Sequence, residues 1–280
     1  MTSTETAGSG DIPKSLELLW GTGERPTRGP KPGLTLDRIV TAAVAVADAE
    51  GIGAVSMRRL STELGTGTMS LYRYVPGKAE LLDLMLDRVQ AEPFAAYDAE
   101  GAAPPDDWRV AIERMARTYH GLLHAHPWLL HVNETRTVLG PSAVRGLEIA
   151  LGGLRGMGLR DAEKISVVIT VNNWAFGMAR MEILAARAAE ETGMSDEAFY
   201  AAQESVLSRV MVSGAYPLMA ALEEDTFSRD FDHFAFGLRR LVEGFERLVA
   251  QRAEVGADGA AGTDGAGGAG AAPSACRPPE

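Results

Sequence analysis

Cysteine is almost absent from this chain: among 280 residues there is one, Cys276, close to the C-terminal end. An internal disulfide is therefore excluded, and a reducing cytoplasmic compartment is expected. Long apolar runs are missing too. The longest, Ile165 to Trp174, is interrupted by Asn172 and Asn173 and is too short to cross a bilayer. The opening MTSTETAGSGDIPK has no apolar stretch of the kind a signal peptide needs. Alternating strand patterns and hairpin turns are lacking. So are a Walker loop, GxSxG, HExxH and a His/Cys dyad, and the acidic residues scatter over solvent-facing helical positions, so an enzyme is not expected. A formal GxGxxG at Gly265–Gly270 has no strand before it and no helix after it, and is a product of composition.

A generally basic surface is also missing, since the net charge is −11. The deficit is uneven. Residues 14–90 hold ten Lys/Arg against nine Asp/Glu, whereas the remainder is strongly acidic. A near-neutral segment with clustered arginines beside an acidic bulk suits a small DNA-reading head on a larger body. Hydrophobic residues at 46% and charged residues at 23% leave ample material for one or two cores.

What is present is helical periodicity, and the fold class expected is all-α with nine or ten helices. A first helix starts at the N-cap Thr35 and stops at Gly51; a second starts at Ser56 and ends before Gly65; a third covers about Thr68 to Val75. Pro76-Gly77 then breaks the chain, and a fourth helix runs from Lys78 to about Gln90. Longer helices are expected over Asp106–His126, Pro141–Met157, Asp161–Glu191, Ser195–Val212 and Asp230–Val255. The division drawn is a flexible arm with a basic segment (1–33), a small helical head (34–95), a larger helical domain (106–253) and a disordered Gly/Ala-rich tail (254–280). Residues 1–15 are expected to lack order because they are polar and of low complexity.

Residues 56–78, SMRRLSTELGTGTMSLYRYVPGK, have the layout of a helix-turn-helix. Leu60 and Leu64 point the first helix inward and Leu71 with Val75 points the second inward. The opposite side of the second helix presents Met69, Ser70 and Arg73, flanked by Thr68 and Tyr72. Thr68 and Ser70 can hydrogen-bond base edges and Met69 can pack on a thymine methyl. Tyr72, Arg73, Tyr74 and Lys78 suit phosphates, and Ser56 and Thr66 complete the DNA-facing set. Ahead of the head, Arg25, Arg28 and Lys31 recur every third residue in a proline-rich arm, a pattern that puts them on one side of an extended chain able to enter a minor groove. A solvated linker accounts for the same pattern equally well.

The run EGIGAVSMRRLSTELGTGTMSLYRYVPGKAELLDLM resembles the DNA-binding head of TetR-family transcriptional repressors. The resemblance rests on Gly51, the capped Ser56 helix, Leu64-Gly65, Leu71-Tyr72-Arg73-Tyr74-Val75, and Lys78 followed by Glu80-Leu81-Leu82. It implies that Thr68, Met69, Ser70, Tyr72, Tyr74 and Lys78 line DNA, with Met69 where the family often has proline or a small residue. FAFGLRRLVEGFERLV resembles the closing helix of the TetR-type C-terminal domain, which implies pairing with the 161–191 helix in a four-helix dimer interface. The dimer residues expected are Gly237, Leu241, Gly244, Phe245 and Leu248, with close intrachain packing as the competing explanation of the glycines.

Within the body, Asn172-Asn173-Trp174 breaks an apolar helix, so at least one amide is expected to be buried and to need partners. It belongs either to a structural network or to the polar fixing points of a ligand pocket walled by Met115, Tyr119, Trp128, Met178 and Met181. His120, His124 and His126 raise a metal site, since two histidines four apart share a helix face. No cysteine or HExxH pattern supports one, and neither metal nor cofactor is expected. The function expected is a homodimeric repressor that binds a palindromic double-stranded operator and is released by a small-molecule effector. The alternatives are a helical enzyme with a DNA-binding-like head and a constitutive DNA binder.

Overall fold

The computed structural model describes residues 4–22, 33–99, 105–223, 226 and 231–261. It is an all-α protein, as the periodicity indicates, with one minimal strand pair. The head comprises α2 (Leu36–Glu50), α3 (Met57–Glu63), α4 (Thr68–Tyr72) and α5 (Lys78–Ala99), preceded by β1 (Glu5–Thr6) and α1 (Ile12–Trp20). The body comprises α6 (Trp108–Ala125), β2 (Val132–Asn133), α7 (Pro141–Gly153), α8 (Asp161–Thr192), α9 (Asp196–Val212), α10 (Pro217–Ala220) and α11 (His233–Ala261).

The starts of the head helices are fixed by local chemistry. Thr35 Oγ1 accepts from the Arg38 N–H at 3.1 Å, and Ser56 Oγ accepts from the Arg59 N–H at 3.1 Å, each satisfying a donor that the first helical turn leaves open. Gly65, at φ 62°, makes the left-handed turn between α3 and α4 that a side chain would strain. Ile39, Leu60, Leu71, Val75, Leu81 and Met85 close the head core with essentially no exposure. Fully burying one such aliphatic side chain is worth roughly 1.5–3 kcal/mol.

Head and body are not separate cores. The cluster that holds the head helices continues without a break through Leu122, Leu123, Trp128, Leu129, Val132, Ala179 and Ile183 of the body. A second cluster lies wholly in the body, where Ile112 and Ala116 of α6 meet Val171 and Ala175 of α8 and Leu238 and Val242 of α11. Helix α5 runs to Ala99, through Pro93 and beyond the end expected near Gln90. Helix α11 runs to Ala261, past the boundary drawn at 253; the rest of the tail lies outside the described residues.

The N-terminal segment is the main correction. Residues 1–15 were expected to lack order and 1–33 to form a flexible arm, yet β1 pairs in parallel with β2 and α1 packs on α5. Long-range acceptors on α5 hold it there. Asp83, itself buried, accepts from the Gly8 N–H at 2.8 Å and from Ser15 Oγ at 2.7 Å; Glu80 accepts from the Asp11 N–H at 2.8 Å. Asp11 also caps α1 by accepting from the Lys14 N–H at 3.0 Å, and Trp20 Nε1 donates to the Leu139 carbonyl at 3.1 Å. A polar segment that buries little on its own is ordered by hydrogen bonds to partners some seventy residues away, which local composition does not reveal.

Candidate nucleic-acid interface and regulatory body

The recognition segment is anchored on one side and open on the other. Leu71 and Val75 are buried, whereas Met69 is 76% exposed and Tyr72 46% exposed. Arg73 is exposed, and Ser70, Thr66 and Thr68 are half-buried beside them. Thr68 Oγ1 donates to Ser61 Oγ at 3.2 Å, which ties α4 to α3. Ser56 is exposed at the head of α3. Tyr74 differs from the expectation of a free phosphate ligand: it packs half-buried on the head core, and its hydroxyl donates to the Leu34 carbonyl at 3.0 Å, fixing the entry to α2. Lys78 Nζ forms an ion pair with Glu5 at 2.8 Å, so the strap that precedes the head reaches a candidate phosphate contact. Arg25, Arg28 and Lys31 lie outside the described residues.

A polar joint connects the head to the body. Trp128, 1% exposed, donates its indole N–H to Asp48 of α2 at 2.8 Å. His126 sits between two carboxylates, with Nδ1 2.7 Å from Asp48 and Nε2 3.0 Å from Glu92. Burial by itself disfavours the imidazolium, but Glu92 and Asp48 outweigh it and raise the His126 pKa above its ordinary value. Trp128 therefore ties body to head, and His126 is satisfied by protein carboxylates. A groove of about 530 Å³ opens along this joint, lined in part by Asp48, Ile52, Trp128, His131, Arg187 and Glu190. The residues Asp48 and Glu92 were missed in the sequence because nothing local distinguishes them from solvated helix charges.

The body separates the remaining candidates into inner and outer sets. Met178 is buried, and Met115, Tyr119 and Trp174 pack half-buried on the body core. Asn172 Oδ1 and Trp174 Nε1 are buried with no hydrogen-bond partner among the described residues. The expected buried amide is therefore Asn172. Asn173 and Met181 instead lie exposed, and Asn173 Nδ2 donates back to the Ile169 carbonyl at 2.9 Å, because positions 173 and 181 fall on the opposite side of α8 from Val171, Ala175 and Ala179. Glu134 is burdened by burial, which lifts its carboxyl pKa to about 7 against an opposing hydrogen bond from Gln90. Burial, with the nearby Glu134 charge, likewise raises the Tyr119 phenol.

On α11, Gly237 makes a close intrachain approach: a β-carbon there would fall on the six-membered ring of Trp174. That contact corrects its assignment to the dimer face. Gly244 has nothing within 4 Å of where its β-carbon would lie, so it remains open within the chain. Leu241 is half-buried, and Phe245 and Leu248 pack partly on the body core. Helix α8 carries exposed Ile169, Met181 and Leu184, and α9 buries none of its residues. Among the described residues no helix is long and apolar enough to cross a membrane.

Residues 39–85 match the family described as bacterial regulatory proteins, tetR family, and residues 100–249 match the tetracyclin repressor-like C-terminal domain. The chain is 56% identical over 250 residues to the HTH-type transcriptional repressor DrrR1 of Streptomyces coeruleorubidus, covering 89% of this chain and 91% of that protein. An HTH-type transcriptional regulator of Saccharopolyspora erythraea is 32% identical over 164 residues, 59% of this chain and 67% of the relative. Among solved structures, ActR of Streptomyces coelicolor in complex with actinorhodin matches with a TM-score of 0.57 at 28% identity, covering 77% of this chain and 96% of that one. Apo ActR matches with a TM-score of 0.56 at 26% identity, covering 79% and 99%. An exposed recognition helix on a four-helix head, a helical body sharing its core, and both matched regions lead to one conclusion: the chain belongs to the TetR family of bacterial transcriptional regulators.

Proposed function

We propose that this protein is a homodimeric repressor that holds a palindromic operator with two α4 helices and is released by a small molecule bound in the body. The carrying observation is the recognition helix itself: Leu71 and Val75 lock it to the core while Met69 and Tyr72 stand in solvent. So short a helix reads three or four bases, too few for genomic specificity, and a two-fold partner with its own α4 one DNA turn away, roughly 34–36 Å, supplies the rest. Thr68, Met69 and Ser70 face base edges, and Tyr72, Arg73 and Lys78 face phosphates.

Two features support the other halves of the reading. Exposed Ile169, Met181 and Leu184 on α8, with open Gly244 on α11, offer apolar surface to a second copy. The orphaned Asn172 Oδ1 and Trp174 Nε1 each carry a desolvation cost of about 1–3 kcal/mol, which a polar group on a ligand would offset. ActR, of similar fold, has been solved with actinorhodin bound. A ligand acts here only through its differential affinity for two head spacings, about 10⁴-fold to move a balance from 1:99 to 99:1. The shared core through Trp128 gives such a preference a rigid route to α2.

Anisotropy titration of the purified protein against DNA from upstream of its own gene tests the reading. Tight binding to a two-fold site is expected, steeply weakened by salt and lost in Tyr72→Ala. Unchanged affinity in both Tyr72→Ala and Lys78→Ala overturns the assigned DNA face. A thermal-shift screen in which ligands stabilise the wild type but not Asn172→Leu is expected for the body site, and equal stabilisation of both rejects it.

A further inference from the structure

We propose that His120, His124 and Glu182 form a binding site for a divalent transition cation, with zinc the best fit, that joins α6 to α8. The first two residues lie one turn apart on α6, and the third comes from α8, sixty residues further along the chain. Both histidines direct Nε2 at the same carboxylate oxygen, Glu182 Oε2, each at 2.9 Å. All three donor atoms lie within 4.8 Å of one another. This is the donor set of a two-nitrogen, one-oxygen centre with a further position open to solvent, since His124 and Glu182 are partly exposed.

The distances are close to those that a metal requires. Zinc bonds of about 2.0–2.2 Å at tetrahedral angles separate donor atoms by about 3.3–3.6 Å, so the 2.9 Å His–Glu contacts open by a few tenths of an ångström while the two histidine nitrogens, within 4.8 Å, adjust to the same spacing. Packing restricts the rings: His120 lies 4.6 Å from the His124 ring and 4.6 Å from the Phe234 ring of α11, which limits the conformers open to it without the cation. Imidazole donors select zinc, copper or nickel over magnesium and calcium, which prefer all-oxygen sites. Glu182 lies about 15 Å of helix beyond Asn172 on α8, and its binding of a cation does not depend on the repressor reading. Its consequence follows from position, because α6 runs directly into the Trp128 joint and a cation there would pin α6 to α8.

The test uses the full-length protein stripped with chelator and dialysed. Titration with zinc chloride followed by calorimetry, and with cobalt(II) followed by visible absorption, is expected to show one bound ion per chain and cobalt ligand-field bands. Magnesium chloride is expected to give no heat. His124→Ala and Glu182→Gln are expected to weaken zinc by at least about 10–100-fold, the loss that even outer hydrogen-bond partners of metal ligands cause, and to abolish the cobalt bands. Both substitutions are at partly exposed positions, and circular dichroism verifies that each variant is folded. Failure of the wild type to bind zinc, or equal affinity in the folded Glu182→Gln and His124→Ala variants, overturns the proposal.

Discussion

The indole N–H of Trp128 donates to the carboxylate of Asp48 at 2.8 Å, and that bond crosses from the body to the first helix of the head. The same carboxylate oxygen lies 2.7 Å from His126 Nδ1, so one acceptor serves two nearly buried rings. Asp48→Ala leaves the indole without its acceptor and His126 with Glu92 alone. Because Asp48 is itself partly exposed, water recovers some of the loss, and a destabilisation of about 1–3 kcal/mol is expected in chemical unfolding. Effector-induced release should weaken as well, read as a smaller shift in operator affinity at saturating ligand. Unchanged stability and unchanged release would show that the joint carries neither.

Glu5 and Lys78 make a second testable pair. Their 2.8 Å ion pair places a strap carboxylate on a candidate phosphate ligand. Glu5→Gln is expected to strengthen operator binding, and if Lys78 then engages a phosphate fully, the slope of log affinity against log salt steepens by about 0.9. The same substitution in a Lys78→Ala background should have no effect, which separates this contact from any general change of charge.

The two glycines of α11 should behave oppositely. A side chain at Gly237 strikes the Trp174 ring, so Gly237→Ala is expected to cost about 1–3 kcal/mol through overpacking. Gly244 is open, and alanine there raises intrinsic helix stability by up to about 1 kcal/mol. A bulky Gly244→Leu should instead weaken the dimer in sedimentation while leaving the fold intact.

Glu134 sets a pH dependence. Burial raises its folded pKa from 4.5 to about 7, so the folded chain binds a proton that the unfolded chain has already released. The favourable contribution is complete below about pH 4.5 and is lost as pH rises through about 7. Glu134→Gln removes the penalty of the buried charge, and the variant should gain on the wild type by on the order of 1–3 kcal/mol between pH 5 and 8, measured by thermal unfolding. A constant difference across that range would contradict the burial argument.

Much of the head was legible because its determinants are local. Thr35 and Ser56 cap helices within their own first turns, and Gly65 supplies a backbone conformation that the α3–α4 turn needs. Apolar spacing at Leu60, Leu71 and Val75 separated the buried side from the reading side, and the structure leaves Met69 and Tyr72 outward as that spacing required. In the body the same periodicity located α6, α8 and α9 to within a few residues and the start of α11, though not its end, and the polar break at Asn172 announced a buried amide.

The sequence by itself determined the all-helical class, the helix-turn-helix and the family resemblance, since each depends on contacts between residues a few positions apart. Only the tertiary structure decided that residues 5–20 strap onto Glu80 and Asp83, that Gly237 seats Trp174, and that Glu182 meets His120 and His124. Those relationships join residues between 58 and 75 positions apart. Nothing in the local pattern of either partner distinguishes a carboxylate that will accept a distant donor from one that will face water; packing of the helices makes that distinction.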